Sequence, residues 1–128
     1  MGLDQWCYAC DCDEIPDGVR VDFCRPDTSI EVAYWRKHPN LHGWMESLYR
    51  ERGGVDEQFN CAAVELTLSD LENLEDFIRE DRLPETSGFF FGQSYRDEEQ
   101  RKEDLDFVER AKKLIVEEDK RIFYTSWW

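Results

Sequence analysis

The sequence predicts a small α+β domain, with three helices packed on a four- to five-stranded, mostly antiparallel sheet. Three observations carry that expectation: stretches in which apolar and polar residues alternate, stretches with apolar residues at helical spacing, and turn residues between them. At 128 residues the chain suits one domain that buries roughly two-thirds of its unfolded surface, and 41% hydrophobic content supplies a core.

Residues 1–17 show no periodicity, end in Pro16-Asp17-Gly18, and read as an acidic, cysteine-bearing arm. Val19, Val21 and Phe23 then alternate with Arg20, Asp22 and Cys24, the period of a half-buried strand, which Arg25-Pro26-Asp27 breaks. Ile30, Val32 and Tyr34 alternate with Glu31, Ala33 and Trp35 in a second strand. Pro39 suits a first helical turn, Leu41, Trp44, Met45, Leu48 and Tyr49 keep helical spacing, and Gly53-Gly54 stops the helix. Asn60 to Leu66 reads as a short apolar strand. Ser69-Asp70-Leu71-Glu72 has the pattern of a capping box opening a second helix, whose apolar face is Leu71, Leu74, Phe77 and Ile78 and which Leu83-Pro84 ends. A third helix runs from about Asp97 to Glu118 on the stripe Leu105, Val108, Ala111 and Ile115, and Ile122 to Trp128 closes the chain as a strand.

Thirty acidic and 16 basic residues give a net charge of −14, which repels nucleic acid and anionic membranes and makes direct binding to either unexpected. No apolar run approaches the roughly 20 residues of a membrane span. The N-terminus lacks the features of a signal peptide and has Trp6 where a myristoylation pattern needs Ser or Thr, so a cytoplasmic protein is expected. Five cysteines, an odd number without a secretion signal, argue against a disulfide framework.

Several unusual blocks occur in order: Glu31-Val32-Ala33-Tyr34-Trp35-Arg36-Lys37-His38, Leu41-His42-Gly43-Trp44-Met45, Phe59-Asn60-Cys61, Leu83 through Gly92, and Ser126-Trp127-Trp128. Over about residues 30–128 the chain resembles a family of small uncharacterised tailed-bacteriophage proteins, some labelled phosphoglycerate kinase. The residues here do not support that label, because the chain is too short for a two-domain kinase and has no Gly-rich phosphate loop. The resemblance implies a phage or prophage source, to be read in the host cytoplasm, and supplies no activity.

Four candidate surfaces stand out. Trp35, Arg36, Lys37, His38 and His42 place cations and flat rings at a strand-to-helix junction, where free N–H groups and the helix dipole favour an anion and a ring could stack on a nucleobase, worth about 1–3 kcal/mol. Core packing of the aromatic residues is the competing reading. His38 and His42 also have metal-ligand spacing, but Pro39 intervenes and the zinc-protease glutamate is missing. Cys7, Cys10, Cys12 and Cys24 could hold a structural zinc, or form a flexible arm with free thiols. On the second helix Asp70, Glu72, Glu75, Asp76 and Glu80 offer an acidic partner-binding face, and Phe90, between two glycines, an aromatic docking loop.

No catalytic constellation is legible. The leading expectation is a non-enzymatic, phage-encoded protein that neutralises a host factor through its acidic surface, by imitating nucleic-acid charge against a nucleic-acid-binding defence protein. The alternative is a binder that sequesters a nucleotide or signalling anion at the basic-aromatic block.

Overall fold

The computed structural model describes residues 3–11, 21, 27–60, 62–84 and 98–127. Among them the strands are β1 (Asp4–Asp11), β2 (Ile30–Arg36), β3 (Ala63–Leu66) and β4 (Lys120–Trp127), and the helices α1 (Pro39–Glu51), α2 (Leu68–Arg79) and α3 (Glu98–Glu118). The strands form one antiparallel sheet in the order β2-β1-β4-β3, which bears out the α+β expectation.

Of the acidic arm expected over residues 1–17, Asp4–Asp11 form β1 instead, inside the sheet between β2 and β4, and residues 12–17 lie outside the described residues. The sequence hides β1 for a physical reason. Cys7, Tyr8, Ala9 and Cys10 are all buried, so both faces are covered and no apolar-polar alternation survives. Of the strand expected over residues 19–24, only Val21 lies among the described residues, where it bridges Val64 in the antiparallel sense. The Phe-rich segment around Phe90 lies outside them.

Cys7 and Ala9 face the helices with Trp35, Val64, Leu66, Ile122 and Tyr124, in a core completed by Met45, Tyr49, Leu71, Leu74, Phe107 and Val108. Tyr8, Cys10, Ala63 and Phe123 form a second buried cluster on the opposite sheet face. α2 starts two residues before the expected box: Thr67 caps it, accepting from the Asp70 N–H at 3.2 Å while the Asp70 carboxylate accepts from the Thr67 N–H at 2.9 Å. Thr-x-x-Asp here performs the same reciprocal satisfaction of orphan donors as Ser-x-x-Glu.

α1 ends in a tight glycine turn. Gly53, at φ 90°, donates to the Arg50 carbonyl at 3.1 Å, and Gly54 donates to that of Tyr49 at 2.9 Å. A Cβ on Gly54 would stand 2.3 Å from the Tyr49 ring, which is fully buried and packed on Phe59 with centroids 4.8 Å apart. Gly54→Ala should therefore cost about 1–3 kcal/mol by overpacking. A thermal midpoint unchanged from the parent would show that the ring can move aside.

Candidate functional site

The junction between β2 and α1 is built by residues far away in the chain. Lys37 takes a left-handed conformation, φ 60°, and its N–H donates to the Leu3 carbonyl at 2.8 Å. The Gln5 carboxamide grips both backbone groups of His38: Oε1 accepts from its N–H at 2.8 Å and Nε2 donates to its carbonyl at 3.1 Å. Two bonds from β1 thus hold a strained turn that starts α1, with Pro39 in the first helical turn.

Below the turn lies a buried polar network. Asp104 of α3 accepts from Trp35 Nε1 at 3.0 Å and Gln100 Nε2 at 3.1 Å through one oxygen. Its other oxygen meets His38 Nε2 at 2.7 Å. Gln5 Nε2 also donates to the Tyr124 hydroxyl at 3.1 Å, and that hydroxyl meets His42 Nδ1 at 2.8 Å. Gln5, Trp35, His38, His42, Asp104 and Tyr124 are all buried.

Burial pushes His42 down to about 4 and raises the Tyr124 phenol well above its ordinary range, so both stay neutral near pH 7. Among the described residues the His38 ring bonds the Asp104 carboxylate and no hydroxyl or thiol. The network ties the start of α1 to β1 and β4 through Gln5 and Tyr124, and α3 to β2 and to that same junction through Asp104.

The expected basic-aromatic ligand surface does not assemble, and the reason is depth. Trp35 cannot stack on a ligand, because it is buried in a near-perpendicular contact with the Phe107 ring, centroids 4.9 Å apart, and its N–H is taken by Asp104. His38 already faces a carboxylate and His42 is fully enclosed. Arg36 and Lys37 remain exposed, with Arg36 paired to Asp4 at 3.3 Å. The residues missed were Gln5, Asp104 and Tyr124. Asp104 carried a readable signal: it stands at i, with Phe107, Val108 and Ala111 at i+3, i+4 and i+7, an acid on an apolar stripe.

The cysteine site expected for zinc is corrected for its first two members. Cys7 faces the helices and Cys10 the opposite side of the sheet, as an odd offset along a strand requires, so the two thiols cannot meet on one ion. Burial raises the Cys7 thiol well above its usual range, away from the thiolate a metal needs. Cys12 and Cys24 lie outside the described residues, among which no group of three metal-ligating side chains occurs.

The acidic face of α2 divides into two sets. Asp70 is structural, since it completes the capping box and pairs with Arg52 at 2.5 Å. Glu75 is likewise engaged: its hydrogen bond from Lys112, at 3.0 Å, holds its carboxyl below the usual range, with Arg79 adding at 3.5 Å. Glu72, Asp76 and Glu80 are exposed and spaced at i, i+4 and i+8, one stripe opposite the buried Leu71, Leu74 and Ile78. Glu80 pairs with Arg82, whereas Glu72 and Asp76 have no ion pair among the described residues. No described helix is long and apolar enough to cross a membrane.

Compared with protein-family models, with curated proteins and with solved structures, the chain matches none.

Proposed function

We propose that this is a non-enzymatic interaction protein that presents acidic surface to a basic partner. The observation that carries the reading is the Glu72-Asp76-Glu80 stripe, solvated and anchored by a helix whose other side is locked into the core. Charge on a rigid element steers association and discriminates partners, and its pull weakens with salt. The rest of the chain deepens that field, with a net charge of −14. The partner class that fits is a host protein with a basic groove, such as a nucleic-acid-binding defence protein, met in the host cytoplasm by a phage-encoded inhibitor. The resemblance to small tailed-phage proteins supports that setting.

Nucleotide sequestration is the weaker reading, because three of its five residues, Trp35, His38 and His42, are buried and engaged with one another's neighbours. The two readings separate by charge reversal. Immobilised protein should retain basic host proteins at low salt and release them at high salt. The combined Glu72→Lys, Asp76→Lys and Glu80→Lys substitutions should abolish that retention, while Arg36→Glu with Lys37→Glu should leave it intact. The opposite pattern, or a nucleotide lost from the native protein on denaturation in mass spectrometry, would sink the proposal.

A further inference from the structure

The strand β2 is an edge strand, and among the described residues nothing pairs with its outer side. Such an edge carries a row of free N–H and C=O groups, which proteins usually blunt with charged side chains, lysine above all, with proline, with a bulge or with a covering segment. Here the strand Ile30–Arg36 contains neither lysine nor proline, and it leaves Ile30 51% and Tyr34 47% exposed. Its one irregularity is a register shift against β1, which passes from Ala33 to Glu31 and leaves Val32 over.

Beside this open edge runs a furrow between β2 and α3. One part, of about 370 Å³, has Ile30, Val32 and Leu114 as its apolar side. A second, of about 290 Å³, continues it past Tyr34 and Phe107, and Arg110 lines both. Open backbone and an adjoining apolar furrow are the two parts of a strand-addition site: main-chain bonds supply affinity, and alternate side chains of the added strand enter the furrow. We propose that the β2–α3 furrow binds an extended, basic segment of a partner protein, which joins the sheet as a further strand beside β2.

Charge selects the occupant. Glu31, Glu103, Asp106, Glu117 and Glu118 line the furrow and outnumber Arg110 and Lys113. A segment alternating apolar and basic residues puts its apolar side chains against Val32, Leu114 and the Tyr34 ring and its cations against the rim. A second copy of this chain fits poorly, since it brings another acidic rim and another net charge of −14. The proposal shares with the α2 reading only the basic character of the partner, and its site is separate.

The test uses the intact protein and a blocked ten-residue peptide alternating lysine with valine, followed by amide hydrogen exchange. Saturating peptide should slow exchange of the outward-facing amides of residues 30–36 at least tenfold. Glu103→Lys, Asp106→Lys and Glu117→Lys together, all at exposed positions, should weaken the peptide at least tenfold, while the α2 triple reversal should leave its affinity unchanged. Absence of protection at β2, equal binding of a glutamate-valine peptide, or sedimentation as a dimer with β2 already protected would each overturn the proposal. Loss of peptide binding in the α2 variant alone would overturn it too, and leave the α2 stripe as the contact.

Discussion

Replacing Asp104 by alanine should cost the fold about 2–4 kcal/mol, because it strips the shared acceptor from a buried hydrogen-bonded cluster and leaves its partners enclosed. The carboxylate serves three donors at once, Trp35 Nε1 at 3.0 Å, Gln100 Nε2 at 3.1 Å and His38 Nε2 at 2.7 Å, with Asp104 itself 2% exposed. Alanine would leave the indole and imidazole N–H groups without acceptors in a space water does not fill easily, which is where the larger part of the loss arises. Asp104→Asn should recover more than half of it. Its carbonyl can still accept from Trp35 and Gln100, and its amide can donate to His38 if the ring changes tautomer. Urea denaturation of the three proteins checks this, with unchanged slope and shifted midpoints as the expected signature. A midpoint for Asp104→Ala within about 1 kcal/mol of the parent would mean that the network is not what ties α3 to the junction.

The same residue explains what could and could not be read from the sequence. The helices are legible because their burial is one-sided: Leu71, Leu74 and Ile78 on α2, and Leu41, Trp44, Met45, Leu48 and Tyr49 on α1, recur at the helical period. β2 and β4 are legible as strands, but their inward faces are not. On β2 Trp35 is buried while Ile30 and Tyr34, expected on the strand's apolar face, are exposed, and β4 buries Ile122, Phe123 and Tyr124 across both faces. β1 is not legible even as a strand, since Cys7 through Cys10 are covered on both faces and read as an aperiodic run. That omission propagates to the site. The Tyr34–Asn40 block is visibly unusual, but its cations and rings suit an exposed ligand surface and an interior junction equally well. What decides between them is Gln5, 33 residues before His38, and Asp104, 66 residues after it. Local pattern contains neither pairing. The acidic stripe of α2 was legible as composition, yet only the geometry separates Glu72 and Asp76 from Asp70 and Glu75, which Arg52, Lys112 and Arg79 occupy.

Acidification should expose the second half of the network through His42. In the folded protein burial lowers its pKa to about 4, against 6.5 when unfolded, so the unfolded chain takes up a proton that the folded chain refuses. The sign follows directly: stability contributed by the neutral ring is intact above pH 6.5 and drains away as the pH falls toward 4, at about 1.4 kcal/mol per pH unit and about 3 kcal/mol in all. A second effect runs the other way. Protonating carboxylates relieves the self-repulsion of a chain with net charge −14, so the raw stability profile of the protein mixes the two. The difference between the parent and His42→Gln removes the shared part, including the loss expected from Glu75, whose carboxyl is held low by Lys112. Glutamine can still bond the Tyr124 hydroxyl but cannot titrate. The parent should be the more stable protein at pH 7, and its advantage should shrink steadily below pH 6.5, to the point where the variant overtakes it if the lost packing costs less than about 3 kcal/mol. Parallel profiles from pH 7 to 4.5 would show that the folded ring accepts a proton as readily as the unfolded one. The His42–Tyr124 pair would then have to open to water, and the positional role assigned to it would fail with it.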